Sequence, residues 1–289
     1  MNESDMPRLL IIGGPDSGKS TYRAQFVLRL MHNPGALKLD KSVGDWSAID
    51  ADVQRLMRGL QVLHTPADTF HSTSIEIANA SGISCVLDFA DYGGEQIRKM
   101  ATSNAIAAHW TDVVRNADSW LIFLRIDRIR ATKSFMEEKV ESAPTTTTPP
   151  ASKNLTALKH DSSTEIGTIE ILQRLLFLKG APLQYPLHAP RLAVALSCWD
   201  EVPTNERKMS PLDLLRMKAP LLASFLRANW ESAHLQVYAL SSTDGVLSET
   251  IPNQAFLDRG PENMGYVRPE DGPQSTDLTL PIAWLMQRR

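Results

Sequence analysis

The chain has 289 residues, of which 43% are hydrophobic, and its formal net charge is −3. This length and composition exclude a fibrous or wholly disordered protein and suit a chain with one well-built hydrophobic core. The slightly acidic charge balance gives no basic surface, so we expect neither nucleic acid nor an acidic membrane as a partner.

Six short apolar runs predict β-strands, at residues 8–13, 72–78, 83–90, 119–126, 191–197 and 235–240. The spacing of apolar residues predicts three helices: one after the first strand that is stopped by "NPG" at 33–35, one at 164–179 and one at 210–230. The turn "NASG" joins the second and third strands as a hairpin, whereas the other connections are long enough for crossovers. The sequence therefore predicts an α/β fold with a six-stranded, mostly parallel sheet, one antiparallel hairpin-paired strand, and helices on both faces.

Three segments do not fit this alternation of strands and helices. Residues 36–69 contain Trp46 and predict a loop that carries a short helix. Residues 131–163 are rich in Thr and Pro and predict a flexible insertion, because they bury too little apolar surface to offset the entropy of ordering. Residues 246–275, rich in Pro, Gly and charge, predict a surface excursion before a C-terminal helix.

The run "GGPDSGKS" at 13–20 fits the phosphate-binding pattern Gly-x-x-x-x-Gly-Lys-Ser/Thr and lies between a predicted strand and a predicted helix. Glycines let backbone amides curl around phosphate oxygens, and the helix adds the positive end of its dipole. Lys19 is expected to reach the phosphates, and the Ser20 hydroxyl to bind Mg²⁺. The alternative is a glycine-rich turn with a solvated lysine. The predicted cradle comprises Gly13, Gly14, Pro15, Asp16, Ser17, Gly18, Lys19, Ser20 and Thr21.

Three further stretches follow in chain order: "CVLDFADYGGE" at 85–95, "AVALSCWDE" at 193–201 and "YALSSTDG" at 238–245. Together with the glycine loop, they resemble the motifs of Ras-like GTPases of the translation-factor-related class. The resemblance implies a three-layer P-loop NTPase fold over a single domain, residues 1–289. It also implies GTP or GDP as the ligand, Mg²⁺ as the cofactor, and a role as a molecular switch.

The resemblance assigns two of these stretches to the phosphates and the base. Asp91 and Gly94 match Asp-x-x-Gly, which implies that Asp91 holds a Mg²⁺-bound water and that the Gly94 amide senses the γ-phosphate. Asp200 matches the Asp of Asn-Lys-x-Asp, which accepts two hydrogen bonds from guanine, and adenine offers no such donors. The alternative for Asp200 is an ordinary carboxylate at a strand end. The base would also contact Ser197 and Cys198, which replace the Asn and Lys, and Trp199, Ala239, Leu240 and Ser241.

The switch threonine of the class is expected at Thr69, with Thr65 as the alternative, and would bind Mg²⁺ and the γ-phosphate. Glu95 stands where Ras-like enzymes carry the Gln that orients the attacking water. An ionised carboxylate beside the γ-phosphate predicts slow intrinsic hydrolysis, with Lys19, Thr69 and Glu95 as the catalytic set. An arginine in cis could offset this, and the candidates are Arg55, Arg58 and Arg98.

The C-terminal stretches "GYVRPEDG" and "DLTLPIAWL", with the glycine loop, are similar to bacterial double-GTPase families proposed to work in conflict or defence loci. This similarity implies a protein effector or partner GTPase, for which 36–69 is a candidate surface with Trp46 as its anchor or as a packing residue. A P-loop ATPase or kinase, and a nucleotide-binding interaction module without turnover, remain alternatives. Two cysteines, both in apolar runs, and no membrane-spanning apolar run lead us to expect a cytoplasmic protein.

Overall fold

A computed structural model describes residues 6–32, 34–40, 46–63, 70–92, 108–129, 165–181 and 186–287. In these ranges the strands are β1 (Arg8–Gly13), β2 (Leu37–Leu39), β3 (Phe70–Asn79), β4 (Ser84–Tyr92), β5 (Ser119–Leu124), β6 (Arg191–Leu196), β7 (Leu235–Ser241) and β8 (Tyr266–Pro269). The α-helices are α1 (Lys19–His32), α2 (Ser47–Met57), α3 (Ala108–Asn116), α4 (Glu165–Lys179), α5 (Pro211–Lys218), α6 (Pro220–Asn229), α7 (Gln254–Asp258) and α8 (Leu280–Leu285). The predicted insertion at 131–163 lies outside the described residues.

All of these strands form a single mixed sheet in the order β2-β3-β4-β1-β5-β6-β7-β8. The five neighbouring strands β4, β1, β5, β6 and β7 run parallel. The predicted hairpin of β3 and β4 is confirmed as an antiparallel pair. The expected count of six strands is wrong, because β2 and β8 add one antiparallel strand at each edge. Both extra strands are short and partly polar, so their pairing depends on the long strands beside them more than on their own composition.

Helices cover both faces of the sheet, as the sequence predicts. Along β1, Leu10 and Ile12 pack into a cluster with residues of α3, α4, α5 and α6. The alternate residues Leu9 and Ile11 pack on the other face with residues of α1, α2 and α8. Because successive side chains of a strand point to opposite faces, a continuous apolar run such as this one is buried on both sides.

Two predicted elements end earlier than the sequence indicates. The helix predicted over 210–230 is two helices, since Pro220 cannot continue the hydrogen bonding of α5 and instead begins α6. The strand predicted over 119–126 ends at Leu124, which leaves Arg125 in the turn that follows. Among the helices of the described ranges, none is both long and apolar enough to span a membrane.

Candidate functional site: the carboxyl edge of the parallel strands

The loop between β1 and α1 curls around the ammonium group of Lys19. Lys19 Nζ donates hydrogen bonds to the carbonyl oxygens of Gly13 at 2.7 Å and Gly14 at 2.9 Å. Ser17 Oγ donates to the Gly14 carbonyl at 2.8 Å, which closes the loop on itself. Bent over the loop, the lysine places its charge where an anion held by the loop amides would lie.

At two glycines of this stretch a side chain would either clash or strain the backbone. A Cβ atom built on Gly13 would lie 2.6 Å from Ser17 Oγ and 2.9 Å from Phe123 Cβ. Gly18 has a φ of +79°, in the left-handed region that favours glycine. A Cβ atom built on Gly18 would lie 3.6 Å from Cys198 Sγ, so the glycine loop lies close to the turn that follows β6.

Helix α1 begins at Lys19, directly behind the loop, and presents the amides of its first turn to the same space. Its first turn carries no acidic residue, so no side chain of α1 neutralises the positive end of the dipole there. Ser20 and Thr21 lie in this turn and are half-buried. The buried Tyr22 anchors the helix, because its hydroxyl donates to the Leu278 carbonyl at 2.9 Å.

The turn after β6 carries Ser197, Cys198, Trp199 and Asp200. The backbone N–H of Ser197 donates to the Leu124 carbonyl at 2.9 Å and its hydroxyl donates to the same oxygen at 3.2 Å. These bonds brace the turn against the end of β5, at the position where the resembled class has Asn. Trp199 is 2% exposed and packs in the core, so its side chain is not accessible to a ligand.

The Asp200 carboxylate is half-buried and makes no hydrogen bond or salt bridge to the residues that the structure describes. Its charge still acts on its neighbours. Burial raises the pKa of the Cys198 thiol to about 12, and the charges of Glu201 and Asp200 act in the same direction against that of Arg125. Burial and the charge of Asp200 also raise the pKa of Tyr266 in β8. A half-buried carboxylate in this position can accept hydrogen bonds from a ligand.

The end of β7 lies beside the Asp200 turn, because Leu196 of β6 pairs with Ala239 of β7. Leu240 and Ser241 continue β7 and pair with β8, and the side chains of Ala239 and Leu240 are buried in the core. Ser241 Oγ accepts a hydrogen bond from the Asp244 amide at 2.9 Å, which shapes the turn at 242–245. The backbone of β7 is therefore paired within the sheet up to Ser241, and the turn at 242–245 is the first part after β7 that lies outside the sheet.

A model of the Double-GTPase 1 family matches residues 10–285. The chain belongs to the Double-GTPase 1 family. No match was found among curated proteins. The matched range includes the glycine loop, the turn after β6 and the end of β7 in this Double-GTPase 1 chain.

Several predicted site residues of the Double-GTPase 1 chain are not positioned by the structure. Asp91 lies within β4, whose backbone alone is described at that residue, and Phe89 pairs with Ile11 of β1. The pairing of β1 with β4 is described as far as Phe89, two residues before Asp91. Thr65, Thr69, Gly94, Glu95 and Arg98 lie outside the described residues.

Of the side chains singled out in the predicted switch segment, Arg55 and Trp46 have contacts in the structure. Arg55 donates from Nε to the Gln61 carbonyl and from Nη2 to the Glu249 carbonyl, both at 2.6 Å. These bonds tie the end of α2 to the 246–253 region, so Arg55 would have to exchange them to reach a phosphate. Arg58 is exposed just after α2. Trp46 precedes α2 and packs, partly buried, against the core, which agrees with the packing alternative.

The sequence motifs did not identify Arg125, which links three parts of the site. Arg125 donates to Glu201 Oε2 at 2.5 Å, to Asp127 Oδ1 at 3.2 Å and to the Asp16 carbonyl at 3.4 Å. Arg128 adds an exposed ion pair with the Asp16 carboxylate at 3.5 Å. The signal that could have found Arg125 is its position directly after a parallel strand, at the edge where such sheets bind ligands.

Proposed function

We propose that this chain binds GTP with Mg²⁺ at the carboxyl edge of its sheet and hydrolyses it slowly as a molecular switch. The observation that carries the proposal is the close approach of Gly18 to Cys198. This approach brings the glycine loop, which is suited to binding phosphates, next to the turn after β6, whose half-buried Asp200 carboxylate is suited to binding a nucleotide base. The strands that lead into these two turns are separated by β5 alone, a span of about 10 Å.

The triphosphate would lie in the glycine loop, against the amides of residues 14–20. Lys19 would exchange its bonds to the Gly13 and Gly14 carbonyls for the β- and γ-phosphate oxygens. Ser20, Asp91 and the switch threonine, Thr69 or Thr65, would hold Mg²⁺, with Gly94 at the γ-phosphate. When bound, Mg²⁺ neutralises charge that develops on the phosphate oxygens.

The guanine base would be recognised by Asp200, whose carboxylate is available to accept hydrogen bonds from the two ring donors. With adenine the carboxylate would stay unpaired, which costs about 1.5 to 3 kcal/mol for each charged hydrogen bond that is not made. The Ser197 bracing holds the turn in place of the Asn of the resembled class. We infer that the backbone at 241–243, more than that of Ala239 and Leu240, meets the far edge of the base, because β8 pairs with β7 up to Ser241.

Hydrolysis would depend mainly on electrostatic placement of the γ-phosphate and an in-line water. Glu95 follows Gly94 in the sequence and would repel the γ-phosphate where a Gln would orient water. Turnover would therefore be slow without a partner. The same residue keeps open a second function, a nucleotide-binding module that does not turn over. An ATPase or kinase is the alternative if Asp200 takes no part in base binding.

Loss of the γ-phosphate would release the switch segments, and the output would be altered binding of a protein effector or a partner GTPase. We propose residues 36–69 as the surface that responds. The setting would be the cytoplasm, which suits two free cysteines. A place in a bacterial multi-protein conflict or defence system rests on the sequence resemblance alone.

Measuring phosphate release from GTP with Mg²⁺ tests the proposal. Wild type should release phosphate slowly, Lys19→Ala should release none, and Glu95→Gln should exceed wild type because it restores the water-orienting amide. Undiminished release by Lys19→Ala would overturn the catalytic assignment. Tight GTP binding without release by either wild type or Glu95→Gln would favour the interaction module instead.

A further inference from the structure

A second cluster of polar side chains lies near the amino ends of the parallel strands, whereas the proposed nucleotide site lies at their carboxyl ends. His188 precedes β6 and His234 precedes β7, and these parallel strands begin in register at Leu192 and Leu235. Both histidines therefore lie near the amino ends of the strands, whereas the Asp200 turn follows the carboxyl end of β6. Glu231 completes the cluster, and its ligand atoms lie within 4.8 Å of those of both histidines.

The backbone holds the three residues together although 43 positions separate His188 from Glu231. Leu187 N–H donates to the Asn229 carbonyl at 2.7 Å, and Glu231 N–H donates to the Leu187 carbonyl at 3.1 Å. His234 N–H donates to the Glu231 carbonyl at 2.8 Å in a short 3₁₀ turn. A site whose ligands sit on a fixed backbone loses little entropy when an ion binds.

We propose that His188, Glu231 and His234 form a site for a divalent transition metal of the zinc type. Nδ1 of His188 lies 3.0 Å and Nδ1 of His234 lies 3.6 Å from the same oxygen, Glu231 Oε2. Ligand atoms about 2.0 to 2.1 Å from a tetrahedral zinc ion are separated by about 3.3 Å, between these two distances. Two imidazoles and one carboxylate are a known ligand set of zinc sites that keep an open position.

The open position has room for a further ligand. His188 and His234 also line a cavity of about 890 Å³, whose wall includes Arg8, Asp118 and Arg191 at the starts of the strands. His188 is exposed, Glu231 is more than one-third exposed and His234 is largely covered, so an ion can enter from solvent. Water or a small anionic group in the cavity would supply the fourth donor.

Zinc binding to the untagged, EDTA-treated full-length chain tests this site, with the metal measured after equilibrium dialysis in the absence of nucleotide. One zinc ion per chain is expected. His188→Ala and Glu231→Gln should each weaken binding by at least about 100-fold, since even residues outside a ligand set are worth roughly 10- to 100-fold. His32→Ala, an exposed histidine at the end of α1, is the matched control and should bind zinc as wild type does.

Thermal melting without zinc checks that each variant is folded, and zinc should raise the melting temperature of wild type and His32→Ala but not of His188→Ala or Glu231→Gln. Absence of zinc binding by wild type, or equal binding by His188→Ala, would overturn the proposal. Lys19→Ala should bind zinc normally, so failure of the nucleotide site and failure of this site are distinguishable.

Discussion

Arg125 donates a hydrogen bond from Nη2 to Glu201 Oε2 at 2.5 Å, which joins the turn after β5 to the turn after β6. The same guanidinium reaches the carbonyl of Asp16 in the glycine loop at 3.4 Å. Because the side chain is only 15% exposed, these contacts are screened less than ordinary surface pairs. One arginine thus holds the phosphate end and the base end of the proposed site in fixed relation.

Arg125→Ala is expected to weaken GTP binding without removing any residue that we place against the nucleotide. Removal of the link should also lower the free energy of unfolding by about 1 kcal/mol, since charged partners lose their hydrogen bonds. Urea unfolding and GTP titration measure the two effects. Arg128→Ala is the control, because its ion pair with Asp16 is exposed and such pairs contribute about 0 to 1 kcal/mol. Equal behaviour of the two variants would contradict the linking role.

Lys19→Ala should weaken GTP binding by roughly 10- to 150-fold for each hydrogen bond that Lys19 makes to a phosphate, corresponding to about 1.5 to 3 kcal/mol per charged hydrogen bond. The fold should survive, because Lys19 is bonded to carbonyls of its own loop and does not pack in the core. Isothermal titration with GTP measures the change in affinity. Lys38→Ala, an exposed lysine of β2, is the control. Unchanged affinity in Lys19→Ala would remove the glycine loop from the account.

The chain is expected to lose stability as the pH rises above about 8.5. Burial raises the pKa of the Cys198 thiol to about 12, and it also raises the pKa of Cys85, Tyr22 and Tyr238. Cysteine and tyrosine in an unfolded chain titrate near 8.5 and 10, so the folded state binds more protons between the two sets of values. The stabilisation is therefore complete below about pH 8.5 and is lost above it.

Urea unfolding between about pH 7 and 10.5 measures this decline in stability. In Cys198→Ser the decline that begins near pH 8.5 should be smaller, since a serine hydroxyl does not titrate in this range. A midpoint that stays constant over the whole range would contradict the assigned burial of these groups.

The central part of the fold was predictable from the sequence because β1, β5 and β6 are largely apolar runs that are buried on both faces. The edge strands β2 and β8 were not, since they contain Lys38 and Arg268 and depend on neighbouring strands for their pairing. The apolar spacing also predicted one helix where Pro220 divides two, although the restriction that proline places on a helix is visible in the sequence.

The positions of Lys19 and Asp200 after β1 and β6 were predictable, because each follows a strand in a fixed pattern, while their roles toward a nucleotide stay predictions. The closeness of Gly18 to Cys198 was not predictable, because it depends on the spacing of two turns across β5. Nor was the role of Arg125, since the partners of a charged side chain are set by tertiary geometry. The cluster of His188, Glu231 and His234 has no local spacing motif, because its ligands come from two segments of the chain.

The central claim is that Asp200 selects guanine for a triphosphate held by the glycine loop, and parallel titrations of wild type and Asp200→Ala with GTP and ATP test it most directly. Wild type should bind GTP at least about 10-fold more tightly than ATP, and Asp200→Ala should lose that preference without any loss of ATP affinity. Asp258→Ala, an exposed carboxylate at the end of α7, should behave as wild type. Equal affinity of wild type for the two nucleotides, or a GTP preference that survives in Asp200→Ala, would contradict the account.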